Sequence, residues 1–497
     1  MSQTTISPHT QAPLVTRQYP SVDELDKIIQ TAATAQKEWQ KIPLDGRIAI
    51  AEKFAEEFVK LNEEIVQDLT ASMGRPISQN GGEIRGTLER AKFMISIAKQ
   101  SLADVELKDT DKPGFRRFIK RCPLGVVLVI APWNYPYLTS INSVLPALIS
   151  GNSVLLKPSP QTPVTAELLQ RAFIAAGVPP SVLQVIHLPP GLTAHAIASP
   201  LVNFVSFTGS VATGTLVAKE AAGSKGFKGV ALELGGKDPA YVRHDADLDY
   251  TVAELVDGAF FNSGQSCCSI EVRFTCIFNA NNPDHFSFLV HPPSQRIYVH
   301  ESIYDSFVGK FVDIAKTYKL GDPEDKSTNL GPVVNVASAE KIRKQVDDAV
   351  KAGAKALVPG ELFSVAKAGT AFVAPQVLVD VDHTMDVMKE ETFGPVVGIM
   401  KVSSDDEALR LMNDSPYGLT ASIWTNTSSN ASEESEKAFQ ELADKLETGT
   451  VFLNRCDYLD PALAWTGVKD SGRGISLSKF GYDQLTRAKS VHMKIAT

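Results

Sequence analysis

From Gly125 onward the chain repeats one unit, a short apolar run closed by Pro or Gly and followed by a segment with helical spacing. The runs are GVVLVIAP (125–132), NSVLLKPSP (152–160), VLQVIHLPP (182–190), FVSFTGS (204–210) and VALELGG (230–236). Runs this short, flanked by chain breakers, predict strands buried on both faces. Helical segments are predicted between them at 165–176 and 211–222, and the β-α-β alternation predicts a parallel sheet covered on both sides. The pattern resumes after Gly236. Strands are predicted near 296–299, 356–360, 375–381, 396–402, 421–425 and 450–454, with helices around 304–318, 337–352 and 405–412. The fold class is therefore α/β, in two units.

Ahead of these units the chain reads as helical. Ser21-Val22-Asp23-Glu24 has the form of a capping box, and Leu25, Ile28, Ile29 and Ala32 follow at helical spacing. A second helix is predicted to carry Phe54, Phe58, Leu61 and Ile65 on one face, and a third to span 88–102. At 497 residues the chain has room for two or three domains. Its net charge of -8 without a basic tract argues against electrostatically driven nucleic-acid binding. The first fifteen residues lack a basic stretch followed by an apolar one, so the cytosol is the expected compartment. The most apolar stretch, 123–156, is interrupted by Pro132 and Pro136 and followed by Lys157, which predicts no membrane span. Five cysteines, an odd number in no metal-ligand spacing, predict free thiols and no metal site.

The densest chemistry lies at Phe260-Phe261-Asn262-Ser263-Gly264-Gln265-Ser266-Cys267-Cys268. A thiolate near backbone N–H groups is a strong nucleophile, although a cysteine read alone is more often a small buried hydrophobe. Leu232-Glu233-Leu234-Gly235-Gly236 ends a strand with a carboxylate beside two glycines, and Ala131-Pro132-Trp133-Asn134-Tyr135-Pro136 puts an amide in a stiff aromatic loop. Phe207-Thr208-Gly209-Ser210 with Gly214 is a glycine-rich strand-to-helix junction suited to a phosphate. It departs from G-x-G-x-x-G and is a weak signal by itself. A solvated carboxylate and a structural turn are the ordinary explanations for such motifs taken singly.

Taken together and in this order, these motifs resemble the aldehyde dehydrogenase superfamily, from about residue 20 to the C-terminus. Lys157-Pro158-Ser159, Glu391-Thr392-Phe393-Gly394-Pro395, Asn413 through Leu419 and Gly467 through Gly472 extend the likeness. It implies NAD(P)-dependent oxidation of an aldehyde to an acid through a thiohemiacetal and a thioester. Cys267 would be the nucleophile, Asn134 with the Cys267 N–H the oxyanion donors, and Glu233 the base for deacylation. Lys157 would meet the adenosine ribose, Ser210 the pyrophosphate and Glu391 the nicotinamide ribose, with Phe393 beside the ring; Ser159, Pro160, Gly209 and Trp133 join this cofactor set. In the family a glutamate three residues after the lysine favours NAD. Pro160 neither bonds the ribose nor repels a 2′-phosphate, and the reading leans to NAD with NADP open. A second departure is Ser476, where some members carry a channel-lining glutamate. The entrance for the aldehyde is expected near Trp133, Cys267 and 455–465.

The resemblance also implies an aldehyde dehydrogenase-like fold. Residues 1–105 and 123–235 would form a Rossmann-like cofactor domain, to which 466–484 return, and 236–465 the catalytic domain. Residues 106–122 with 485–497 would make a small β oligomerisation arm, for a homodimer or homotetramer. A non-catalytic protein of the same fold and a thiol esterase or acyltransferase are the rival readings. Intact Cys267, Glu233 and Asn134 speak against the first, and Lys157, Glu391 and Phe393 against the second.

One segment stands outside the pattern. Residues 272–295 separate Glu271 from Arg296, where family members run straight on. The segment begins with Val, encoded by GTN, and ends with Gln, which CAG encodes. These are the marks of a translated short intron, and an exposed excursion that leaves the strand pairing on either side intact is expected. A genuine surface loop is the alternative.

Overall fold

A computed structural model describes residues 1–495 apart from 108–112, 268–271, 274–288, 291–295, 427–431 and 457. The chain opens with an antiparallel hairpin, β1 (Ser2–Ile6) and β2 (Pro13–Gln18), that sequence reading did not single out. Helix α1 (Val22–Trp39) starts at the capping box. Ser21 Oγ accepts the Glu24 N–H at 3.2 Å and Glu24 Oε2 accepts the Ser21 N–H at 2.7 Å. The helix expected to carry Phe54 to Ile65 is in fact two, α2 (Leu44–Val59) and α3 (Asn62–Met73). Glu63 and Glu64 in the first turn of α3 complement the positive end of a new helix, which favours the break. Phe54, Phe58 and Ile65 still share one core, while Leu61, in the break, is partly buried. Helix α4 (Asn80–Ser101) begins well before residue 88.

Two strands, β3 (Val105–Glu106) and β4 (Phe115–Pro123), lead into the first sheet. That sheet holds β5 (Val126–Ile130), β6 (Ser153–Lys157), β7 (Leu183–Val185), β8 (Val202–Thr208) and β9 (Gly229–Glu233), in spatial order β9-β8-β5-β6-β7 and parallel throughout. Helices α5 (Pro136–Ile149), α6 (Pro163–Ala176), α7 (Pro190–Ala198) and α8 (Val211–Gly223) connect the strands. Side chains alternate across a strand, and the two faces fill separate cores. Val127 and Val129 pack with Phe54, Phe58 and Ile141, whereas Leu128 and Ile130 pack with Leu25 and Ile29 of α1.

The second sheet begins at β10 (Pro239–Val242), from which α9 (Leu248–Phe260) leads toward the thiol. Next come β11 (Val272–Arg273) and β12 (Leu289–Val290), which pair antiparallel with each other. Most of the anomalous segment, with Cys268 and Cys276, lies outside the described residues, so its expected exposure is not described either. After it, β13 (Arg296–His300) pairs along its full length with β16 (Val396–Val402) and, over Arg296 to Val299, with β10. With β14 (Lys355–Ala356), β15 (Gln376–Val379), β17 (Tyr417–Gly418), β18 (Thr420–Trp424) and β19 (Thr450–Leu453) in place, the order is β14-β15-β16-β13-β10-β18-β19, with β17 outside it. The strand expected at 356–360 is cut to an antiparallel edge pair, β14 on β15. Pro359 lacks the N–H a longer ladder would use. Sequence reading missed β10 altogether, although it sits at the sheet's centre.

The chain then returns to the first unit. Strand β20 (Val468–Lys469) pairs with β17, and β21 (Gly472–Arg473) lies antiparallel on β9 with Gly472 opposite Glu233. Finally β22 (Thr486–Lys494) runs antiparallel to β4, from Thr486 opposite Pro123 to Lys494 opposite Phe115, making the small sheet β22-β4-β3. Among the described residues no helix is long and apolar enough to cross a membrane.

Candidate active site

Parallel strands leave their C-terminal ends open to ligands, because the chain must turn there into a helix. The ends of β5, β6, β8 and β9 border a cleft of about 840 Å³, closed on its far side by Cys267 and by the loop carrying Glu391 and Phe393. All eleven residues singled out in the sequence line this cleft: Cys267, Glu233, Asn134, Lys157, Ser159, Pro160, Gly209, Ser210, Glu391, Phe393 and Trp133.

The thiol is presented by a strained turn. After α9, Asn262 and Ser263 adopt φ of 48° and 57°, in the left-handed region that costs a non-glycine residue free energy, and Gly264 continues at 67°. A Cβ on Gly264 would lie 2.2 Å from Gly394 O, so only glycine fits. Side chains over-determine the turn. Ser263 Oγ donates to Gly331 O at 2.8 Å, and Gln265 Oε1 accepts the Val334 N–H at 2.6 Å. Cys267 is a free, half-buried thiol.

Asn134 is brought to the turn by the loop between β5 and α5, and its Nδ2 donates to Gln265 O at 3.3 Å. Beneath it lies a buried pair that sequence reading missed. Arg75 Nη1 meets Glu83 Oε2 at 2.6 Å, with side chains 1% and 0% exposed. The same guanidinium donates to Asn134 O and, at 3.1 Å, to Asn262 Oδ1. Glu83 Oε1 accepts the Tyr137 N–H at 2.8 Å, satisfying a free amide at the start of α5. One ion pair thus ties the Asn134 loop, the thiol turn and a helix terminus together. Arg75 and Glu83 stand eight residues apart in a polar stretch, and nothing in the sequence distinguishes them from surface charges.

Glu233 ends β9 with both carboxylate oxygens engaged. Ser476 Oγ donates to Oε1 at 2.6 Å, and Thr208 Oγ1, from the neighbouring strand, sits 3.4 Å from Oε2. Burial raises its pKa above the usual carboxylate value, with the Ser476 bond and the positive field of Arg90 opposing. Ser476 is 3% exposed.

The rest of the cleft fits a dinucleotide. Lys157 ends β6 inside it, its ammonium pushed down to about 8 by burial. Ser210 caps α8, its Oγ accepting the Thr213 N–H at 3.3 Å, and the amides of that helix start offer a pyrophosphate site. Gly214 lets α8 lie against the strand end, since a Cβ there would come 2.4 Å from Leu234. At the opposite end Glu391 Oε1 accepts the Gly236 N–H at 3.3 Å, and burial raises its carboxyl to about 7. A Cβ at Gly235 would approach Glu391 to 2.6 Å. Phe393 stands edge-on to Trp133 with ring centres 5.6 Å apart, an aromatic corner beside the thiol. Ser159 Oγ accepts the Gln161 N–H at 3.2 Å, and Pro160 O accepts the Thr5 hydroxyl at 2.7 Å. Tyr19 and Glu220 also line the cleft and were not anticipated.

Comparison with known proteins gives the same picture. The aldehyde dehydrogenase family matches residues 1–275 and 293–491. A succinate-semialdehyde dehydrogenase [NADP(+)] of Deinococcus radiodurans is 33% identical over 98% of this chain and 94% of its own. A D-glyceraldehyde dehydrogenase (NADP(+)) of Picrophilus torridus is 31% identical over 95% of this chain and 88% of its own. Among solved structures, betaine aldehyde dehydrogenase from Staphylococcus aureus in complex with NAD+ superposes with a TM-score of 0.87 at 27% identity. The match covers 100% of this chain and 92% of that one.

Proposed function

The chain belongs to the aldehyde dehydrogenase family and oxidises an aldehyde to a carboxylic acid with NAD(P), and from that premise we propose how its own residues perform the reaction. Cys267 attacks the aldehyde carbon as a thiolate. The oxygen, now negative, is held by the Cys267 N–H and the Asn134 amide; that amide nitrogen carries two hydrogens and Gln265 O engages one. Bound NAD(P) supplies the hydride acceptor. With Cys267 acylated, Glu233 takes a proton from water, the resulting hydroxide adds to the thioester carbon, and collapse expels the Cys267 thiolate with the acid. A raised pKa keeps Glu233 basic enough for this step at neutral pH.

Lys157 holds the adenosine ribose, Ser210 and the start of α8 the pyrophosphate, and Glu391 the nicotinamide ribose, with Phe393 and Trp133 beside the ring. Pro160 carries no charge against a 2′-phosphate, and both dinucleotides are admitted. A nucleophile that works as a thiol suits the reducing cytosol. The sheet β22-β4-β3 serves as the pairing arm of a homodimer or homotetramer, an assignment that light scattering of the protein tests.

The observation that carries this reading is the convergence of Cys267, Asn134 and Glu233 on the cleft that also holds Lys157, Ser210 and Glu391. An aldehyde panel including succinate semialdehyde and D-glyceraldehyde, run with either dinucleotide, provides the test. Cys267→Ala is expected to abolish turnover while still binding the dinucleotide. Glu233→Gln is expected to give one rapid burst of reduced dinucleotide and then stall. A slow first turnover without a burst would reject Glu233 as the deacylation base. Ester hydrolysis with no dinucleotide reduction would select the esterase reading instead.

A further inference from the structure

Ser476 is delivered to Glu233 by a segment with little freedom to deliver anything else. Its backbone is clamped to Trp465 in both directions, Trp465 N–H to Ser476 O at 2.8 Å and Ser476 N–H to Trp465 O at 2.9 Å. The preceding Ile475 N–H is held by Gln484 Oε1 at 3.1 Å. The next two residues, Leu477 and Ser478, adopt φ of 63° and 48°, strain that persists only where the surroundings over-determine it. The same return segment also braces the Glu233 backbone, through Gly472 on β21. A hydroxyl held this rigidly, 2.6 Å from a carboxylate oxygen, is a charge-assisted hydrogen bond.

We propose that Ser476 is a positioning residue for the base, holding the Glu233 carboxylate in its ionised form and setting the pH above which the acyl-enzyme is hydrolysed. The inference rests on Glu233 acting in deacylation. The bond is made to the charged form and favours it, opposing the burial that raises the carboxyl. Around Glu233 the other contributors are Arg90 on α4, whose field acts in the same sense, the neutral Thr208 on β8, Trp465 on the return segment, and the Cys267 thiol across the cleft. With the hydroxyl gone, Oε1 loses its donor, the carboxylate protonates at higher pH, and the base is lost from the acid side.

The test follows the slow phase after the burst of reduced dinucleotide across about pH 5 to 9, with full-length protein. In Ser476→Ala the acid limb of that phase is expected to move up by about one pH unit, with roughly tenfold slower hydrolysis below the midpoint. The burst itself and kcat/KM for the aldehyde should stay within about twofold of the parent, since nothing in the first half-reaction uses the bond, while KM falls in step with the slowed hydrolysis. Ser476→Thr and Ser476→Val have nearly the same shape and differ in the hydroxyl, which keeps the comparison decisive if the alanine variant folds poorly. Threonine should restore the parent limb and valine should not. An unmoved limb in Ser476→Ala, equal loss of burst and slow phase, or identical behaviour of threonine and valine overturns the proposal. Glu233→Gln separates the two readings. If it turns over normally, the base assignment falls and this inference with it; if it stalls while the Ser476 variants keep the parent limb, this inference alone falls.

Discussion

Lys157 and Pro160 lie three residues apart in the cleft, and under the proposed placement of the adenosine their chemistry bears on which dinucleotide is preferred. The Lys157 ammonium, lowered to about 8 by burial, would in the proposed placement donate to the ribose and attract any phosphate carried there. Pro160 has no side-chain charge, and its carbonyl is already taken by Thr5. Pro160→Glu places a carboxylate beside the expected 2′-phosphate, and like charges there repel. The KM for NADP is expected to rise about tenfold or more while that for NAD changes little, which is about 1.4 kcal/mol of discrimination. The parent should show a matching pH effect. Lys157 loses its proton as pH rises through about 8, so KM for NADP should climb above that pH and more steeply than KM for NAD. Unchanged NADP kinetics in Pro160→Glu would mean that the adenosine end lies elsewhere.

Elements were legible in the sequence where burial wrote a pattern, and illegible where long-range contacts did. Strand β5 was read because both faces are buried and the run is apolar throughout. The central strand β10 was not, because Pro239-Ala240-Tyr241-Val242 is short, opens with proline and looks like the tail of the glycine turn before it. The residues proposed to carry catalysis and to hold the cofactor were read from motifs, and the cleft brings them together. Ser476 was noted only as a departure from the family pattern, and its bond to Glu233, 243 positions away, has no local spacing to announce it. The Arg75–Glu83 pair was invisible for a related reason, since its value comes from what α4, α5 and the thiol turn do around it. Removing one partner leaves a buried charge uncompensated, so Arg75→Met is expected to cost about 3–5 kcal/mol of stability. Converting both, Arg75→Met with Glu83→Leu, should recover much of that loss without recovering turnover, because Asn134 O and Asn262 Oδ1 still lack their donor. Denaturant melts and turnover of the three variants measure this, and full activity in the double variant would show that the pair does not hold the site.

At the scale of the whole molecule, one stretch of chain is not explained by the fold that surrounds it. The family match stops at residue 275, resumes at 293 and then continues to 491. Within the stretch β11 and β12 pair with each other, in a sheet of their own, while β13 immediately after it is secured between β10 and β16. We propose that residues 272–295 are the translation of a short intron, for which the GTN and CAG boundaries are the sequence grounds. Among the described residues, no strand of the second sheet pairs with the segment. Deleting it joins Glu271 to Arg296, restores a direct run from the thiol turn into β13, and shortens a closed loop at a small gain in chain entropy. The shortened protein is expected to fold with an unchanged or higher melting temperature and to oxidise aldehydes at least as fast as the full chain. Transcripts from the source organism should include a spliced form lacking the segment. If every message retains it and the deletion variant loses aldehyde oxidation, the segment is a working part of the enzyme and the intron reading is wrong.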